Sequence, residues 1–469
     1  MSTDLRARRR VDDARSRDSA RPGPTRPVRM MLALLPILAA LGIYASMDPE
    51  QGASLYLYRV ACLVAAVPAV TMLIRNGVPG RSVSRTYVIL TASWCIWAPL
   101  SLAWTPAYDE GIREVISISF GLVGGLILVS FTGGHEMGVR AISRGWVWAF
   151  IATGAVAMWE IGSGQHLSRL VRELEGRPVE GVYSTFGNPN DYACFLLATL
   201  PGLVTGLRSS RSRVGRSAHV VLLLVWCQLI VATQSRTGAV GALAALLLLV
   251  FWLSRVLGRR LIVPGVVALY LAGTALLTVS VAKPGLVSVG SLTAAFVGDN
   301  SRSDGVRANL TLLGARYVVE SGGLGLGAGA YEARVAADSG RADLAGVTNA
   351  HDSLIELTSQ YGAPVSVPFF ALLFVVFRAG RKLPPRMRLR HGRRDVEEPT
   401  AVRHLRISVQ LGLIALIAGG LASSSTLSSP WWWILLGTVA SQASLLADPP
   451  TGPERPLPRI KTSIGAARQ

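Results

Sequence analysis

The chain has 469 residues, half of them hydrophobic and only 16% charged, with a positive mean hydropathy, which excludes an ordinary soluble domain of this length and marks an integral membrane protein. The net charge of +19 comes from arginines in short blocks between apolar runs. No basic face with interleaved aromatics is drawn, so nucleic acid is excluded as a partner.

Residues 1–29 are charged and proline-rich, too long for the n-region of a cleaved signal peptide, and read as a disordered basic cytoplasmic tail. A spanning helix needs roughly 20 mostly apolar residues. About twelve runs qualify: 30–46, 54–74, 87–104, 114–131, 145–162, 191–207, 218–234, 237–254, 261–281, 364–378, 406–422 and 431–447. The predicted fold is therefore an all-α, polytopic membrane protein with about 12 transmembrane helices. Helices 1–9 occupy 30–281, a long helical extracytoplasmic loop 282–363, helices 10–12 residues 364–447, and a cytoplasmic tail 448–469. Cys62, Cys95, Cys194 and Cys227 all lie in apolar runs and read as small buried hydrophobes, without disulfide or zinc spacing.

The loops give sidedness. With the N-terminus inside, "RNGVPGRSVSR", "HEMGVRAISR", "RSSRSRVGR", "RVLGRR" and the arginine-rich stretch after Arg378 all fall on the cytoplasmic side, as the positive-inside bias requires. Both termini then face the cytoplasm and 282–363 faces outward. Only "QSRTG" separates the seventh run from the eighth. Trp431, Trp432 and Trp433, beside Pro430, read as an outer interfacial aromatic belt.

Candidate chemistry gathers on the outer side. In "STFGNPNDYACFLLATLP", Asn188, Pro189 and Asn190 form a turn before a span, read either as a loop-to-helix junction or as polar amides at a cavity mouth. Arg236 opens a long helix in "SRTGAVGALAALLLLVF", with Gly238, Ala239 and Gly241 permitting close helix approach. An arginine there either snorkels or meets an anion. Arg307 opens an amphipathic stretch in which Val306, Leu310, Leu313 and Tyr317 recur at helical spacing, with Ser303 or Asp304 as cap. Arg307 reads either as a solvated face charge or as an anion ligand; guanidinium forks match phosphate oxygens, so Arg236 and Arg307 can hold a diphosphate at the lipid boundary, with Arg302 and Arg316 as weaker candidates. His351 is read near the start of a helix capped by Asn349 and ending at Gly362 and Pro364. The positive helix end favours a neutral imidazole, available as a base. Asp352 either orients that ring or stabilises the helix start. "GGLGLGAG" lacks the context of a dinucleotide fingerprint, so no cofactor is expected there.

Taken in order, "FGNPNDYACFLLATLP", "SRTG" opening a long helix, Arg307 ahead of "GLG", and "NAHDSLIELTSQYGAP" before the next span resemble the O-antigen ligase and polymerase superfamily of bacterial membrane glycosyltransferases, over roughly residues 180–380. That resemblance implies an undecaprenyl diphosphate-linked glycan donor, a glycan, lipid or protein acceptor, and metal-independent inverting transfer in the bacterial cytoplasmic membrane. By position, Arg236 and Arg307 match the arginines that engage the donor diphosphate, and His351 the histidine that activates the acceptor hydroxyl. Asp352 stands where many members have Asn. Polymerase, ligase and protein O-oligosaccharyltransferase share these residues. The competing class is a polyprenyl-glycan flippase or other carrier that binds the diphosphate without breaking a bond, although the chain shows no inverted repeat.

Overall fold

The computed structural model describes residues 23–42, 56–78, 82–167, 181–210, 212–257, 301–338, 348–350, 352–381, 400–422 and 425–447. These residues form fourteen helices and no β-strand. In chain order they are α1 (Arg26–Leu41), α2 (Leu57–Asn76), α3 (Val83–Ser101), α4 (Tyr108–Thr132), α5 (Glu136–Ser163), α6 (Pro189–Ser209), α7 (Arg213–Ala232), α8 (Arg236–Leu257), α9 (Ser301–Glu320), α10 (Ala330–Asp338), α11 (Ser353–Arg381), α12 (Thr400–Ala422), α13 (Ser425–Ser428) and α14 (Pro430–Ala447).

Each expected apolar run that falls on described residues coincides with a helix. The run 261–281 lies outside them, as do residues 1–22 and 448–469 of the two tails. Among the described residues, seven helices are long and apolar enough to cross a membrane. Several helices begin earlier than the apolar run alone indicates. Asp109 and Glu110 occupy the first turn of α4, and Glu136 that of α5, where carboxylates complement the helix dipole and extend the helix into polar sequence. The "QSRTG" stretch does separate two helices: α7 ends before Thr233, Gln234 adopts a left-handed φ of 54°, and α8 starts at Arg236.

The core is organised on α14. Its residues Trp431 to Leu446 are all buried, and it packs against α4, α12, α11 and α3. A helix that is apolar all round belongs inside a bundle. Trp431, Trp432 and Trp433 are therefore core residues and not the interfacial belt expected from sequence. The Trp432 indole donates to Leu416 O at 3.1 Å and that of Trp433 to Leu427 O at 2.7 Å, while Trp432 stacks on Phe369. Close approach to α4 depends on small residues: a Cβ on Gly121 would lie 2.4 Å from Trp433, and one on Gly437 2.5 Å from Gly125. Two buried polar contacts tie helices together, Ser84 with Ser444 at 2.8 Å and Trp146 Nε1 donating to Thr438 at 3.0 Å. Outward, α2 and α11 expose Val64, Val67, Ile74, Phe370 and Phe374, an apolar surface suited to acyl chains rather than water.

The glycine-rich turn, residues 322–329, is the second organising feature. Gly362 interrupts α11 with φ 62° and ψ −163°, which frees backbone groups that must find partners. The turn supplies them. Leu326 N–H donates to Ser359 O at 2.8 Å, Gly327 N–H to Gln360 O at 3.0 Å, and Ala363 N–H to Gly323 O at 2.8 Å. Its other edge is held by the α3–α4 connection: the Trp104 indole donates to Gly325 O at 3.1 Å and the Thr105 hydroxyl to Ala328 O at 2.6 Å. A Cβ on Gly362 would sit 2.3 Å from Gly323 O, whereas one on Gly322 would meet nothing within 4 Å.

This contrast gives a test. Gly322→Ala should cost about 1–2 kcal/mol, the left-handed penalty alone, and Gly362→Ala about 3 kcal/mol or more because it also breaks the pairing. Thermal unfolding of the two variants in the same detergent measures both; equal shifts would rule out the backbone pairing as the constraint.

Candidate functional site

One end of the bundle is tied together by polar contacts between segments distant in sequence. Asn188 caps α6, its Oδ1 accepting from Asp191 N–H at 2.9 Å and its Nδ2 donating to Asp191 Oδ2 at 2.7 Å, with Pro189 as the first helical residue. The junction reading thus describes Asn188. Asn190 does something different: its Oδ1 accepts from Ser235 Oγ at 2.7 Å, which fixes the start of α6 to the start of α8. Ser235 Oγ in turn accepts from Gly238 N–H at 3.1 Å. Arg236, the next residue, is half-buried beside this tie. The small residues act as expected, since Gly238 faces Ala193 and Gly241 faces Leu197, both on α6. Nearby, the buried Glu160 carboxylate accepts from Tyr183 N–H at 3.2 Å and Ser184 N–H at 2.8 Å and is paired with His166, anchoring the approach to α6 on α5.

α9 carries Arg307. Its buried side, Val306, Leu310 and Tyr317, packs with Tyr331, Val335 and Ala350 into a small core separate from that of the bundle, with Leu313 partly buried against it. The amphipathic reading therefore holds, and Arg307 lies exposed next to Val306. The helix starts at Ser301, which puts Ser303 and Asp304 in its first turn and not at a cap. The side chain of Arg302 lies outside the described residues. Arg316 is engaged locally by Glu320 at 2.5 Å. α9 packs on α11, α8 packs on α12, and α11 and α12 pack on each other, so the two arginines stand on elements that share one helix pair.

His351 lies outside the described residues. Its neighbour Asp352 caps α11: Oδ1 accepts from Leu354 N–H at 2.9 Å and Ile355 N–H at 3.1 Å. The cap is thus Asp352 and not Asn349, whose amide instead donates to Glu332 Oε1 at 2.9 Å. Burial raises the Asp352 carboxyl above its ordinary value, and the two backbone N–H groups oppose the rise.

A cavity of about 530 Å³ opens beside these elements, between α4, α10 and the first turns of α11. Its polar lining includes Glu110, Glu114, Glu332, Glu356 and Gln360. Neither arginine candidate and neither of Asn188 and Asn190 is among its lining residues. Tyr361 OH donates to Glu114 Oε1 at 2.8 Å, and Gln360 hydrogen-bonds to the same carboxylate. Sequence reasoning passed over these residues because they come from three elements. The signal that was present is a carboxylate at position 114, at the edge of an apolar run, where ionisable groups default to a functional reading. A second is Glu356 with Gln360, one helical turn apart on one face.

The fold and this end of the bundle define a multi-pass membrane protein whose polar residues converge at the mouths of its helices. Residues 219–370 match the family model Wzy_C, described as O-antigen ligase, so this stretch is similar to the O-antigen ligase/polymerase superfamily, and the match supports membrane glycosyl transfer or ligation in general. No curated protein matches the chain significantly.

The Asp352 cap makes a distinct prediction. Asp352→Ala should lose about 1 kcal/mol of stability, while Asp352→Asn should retain the cap. With its folded pKa raised above the unfolded value, Asp352 favours folding most at low pH, and that contribution is lost as pH rises through the folded value. Asp352→Asn should flatten this slope in thermal unfolding measured from pH 3 to 7. A slope identical to the parent would remove Asp352 as its source.

Proposed function

We propose that this protein transfers a sugar or oligosaccharide from a polyprenyl diphosphate-linked donor to an acceptor hydroxyl on the outer face of the bacterial cytoplasmic membrane, as a surface-polysaccharide polymerase or ligase. The observation that carries this reading is the family match over 219–370, which spans Arg236, Arg307 and His351 together. Supporting it, Arg236 opens α8 and Arg307 lies near the start of α9. The arginine blocks of the loops, such as Arg208 and Arg403 beside each other, favour the opposite end as cytoplasmic, with both termini there.

In this mechanism the prenyl tail lies against lipid-facing helices and the diphosphate between Arg236 and Arg307, with Arg302 at the periphery. His351 accepts the proton of the acceptor hydroxyl as its oxygen attacks the anomeric carbon in line. The bond from that carbon to the phosphate oxygen breaks, and the diphosphate leaves with the electron pair. In-line attack inverts the anomeric centre. The guanidinium groups stabilise charge where it develops, which is the largest lever available to a site without covalent chemistry. No metal or organic cofactor takes part in this scheme.

Arg307→Ala should lower kcat by roughly 100- to 1,000-fold and His351→Ala by roughly 100- to 10,000-fold, read as transfer of a synthetic undecaprenyl diphosphate glycan by the purified protein in liposomes. Transfer at the parental rate in either variant would end the assignment. Movement of donor across the bilayer without release of undecaprenyl diphosphate would identify a carrier instead.

A further inference from the structure

Two non-glycine residues among the described ones adopt the left-handed backbone conformation, Ser184 and Gln234, each with φ 54°. That conformation crowds a Cβ against a backbone carbonyl, and it persists only where neighbouring contacts hold it. The two residues are distant in sequence and meet in one place. Val182 N–H donates to Ala232 O at 3.0 Å, and Gly181 comes so near the end of α7 that a Cβ on it would lie 2.7 Å from Thr233 O. Strain therefore collects on both sides of a single contact, immediately ahead of Arg236.

Each side is held by more than one bond. The Glu160 carboxylate accepts Ser184 N–H at 2.8 Å while Ser184 Oγ donates to Thr153 O at 2.6 Å, so α5 grips Ser184 through its backbone and its side chain. Gln234 follows Thr233, the C-cap of α7, in a position that glycine fills at lower cost. Ser235 then caps α8, its Oγ accepting from Gly238 N–H at 3.1 Å and its carbonyl from Ala239 N–H at 2.9 Å. Capping needs only the oxygen. Ser235 also uses its proton, donating to Asn190 Oδ1 at 2.7 Å, and a few residues on, Gly238 and Gly241 let α8 press against Ala193 and Leu197 of α6.

This is more than the end of one helix and the start of another require. A glycine at 234 and any capping side chain at 235 would meet that need. The added bonds fix the backbone of Arg236 from three helices at once: α5 through the 182–184 turn, α6 through Asn190 and α7 through Gln234. A guanidinium stabilises developing charge best when it already stands where the charge appears.

We propose that Ser235, Asn190 and Gln234 are positioning residues for Arg236, setting its guanidinium at the donor diphosphate, an assignment that rests on the glycosyl-transfer reading above. None of the three needs to touch the donor. Their effect on it passes through the arginine.

The test measures binding of undecaprenyl diphosphate to the full-length protein in lipid nanodiscs, with thermal unfolding of every variant. Ser235→Ala should raise Kd roughly tenfold, as coupled neighbours do. Asn190→Ala should do the same, and the double variant no more than either single one, because both remove one hydrogen bond. In an Arg236→Ala background Ser235→Ala should change nothing further. Gln234→Gly separates positioning from plain stability: glycine relieves the left-handed penalty but widens the conformations open to the junction, so its thermal midpoint should equal or exceed the parent's while Kd rises. That variant carries the test if Ser235→Ala fails to fold. Parental Kd in both Ser235→Ala and Gln234→Gly, an equal loss from Ser235→Ala with and without Arg236, or losses of affinity that only track losses of thermal stability would overturn the proposal. The two readings fail separately, because glycan transfer is measured in the same nanodiscs. Affinity lost in Arg236→Ala but kept in Ser235→Ala and Gln234→Gly removes the positioning role and leaves the donor site. The expected binding pattern in a protein that transfers nothing removes the transferase and leaves the positioned arginine.

Discussion

The break in α11 at Gly362, and its backbone pairing with the glycine-rich turn, fixes where the other parts of this end of the bundle can stand. A helix crossing a bilayer must satisfy every backbone polar group internally or against other protein. At Gly362 that rule is met by Leu326, Gly327 and Gly323 of the turn, whose backbone comes so close that side chains are excluded at Gly325 and Gly362. The same turn is held on its far side by Trp104 and Thr105 of the α3–α4 connection. Three segments distant in sequence are thereby locked to one point. The amides of Gly322, Gly323, Leu324, Leu326 and Gly327 in this turn donate to carbonyls of the chain itself.

That lock has a consequence for the cavity. Gln360 and Tyr361 are the last helical residues before the break, and both reach Glu114 on α4. Without the break, α11 would continue along its axis and these side chains would not be held by a partner on both flanks. The bulk of the protein supplies the opposing rigidity. α14 is buried along its length, and its approach to α4 relies on glycine against tryptophan and glycine against glycine. In lipid such contacts carry the packing energy, since acyl chains are as apolar as the side chains they replace. Glu114 projects from the same α4 that this packing immobilises.

The sequence made the spans legible because the bilayer imposes a length and a polarity on each of them. It also made the break legible, since Gly362 and Pro364 are strong punctuators. Cap chemistry was less so. Asn349 and Asp352 are both good N-caps by residue type, and only the structure distinguishes the one that accepts from Leu354 and Ile355 from the one whose amide serves Glu332. The tryptophans misled for a similar reason: an aromatic cluster at a helix start has the same composition in an interfacial belt and in a core, and burial by four neighbouring helices is not written locally. The carboxylate cavity was legible only in pieces, as Glu114 at the edge of an apolar run and Glu356 one turn from Gln360, because its residues lie far apart in the chain and meet only in the fold.

Charge at this end of the bundle is therefore not a uniform basic field, despite the net +19 of the chain. Arg208 and Arg403, at the C-terminal end of α6 and the start of α12, stand beside each other. The candidate cations Arg236 and Arg307 stand on separate helices, α8 and α9, while the carboxylates cluster on α4, α10 and α11. Opposite charges buried in one pocket would be spent on each other. Here they are not pooled, because neither Arg236 nor Arg307 lines the cavity that Glu110, Glu114, Glu332 and Glu356 share.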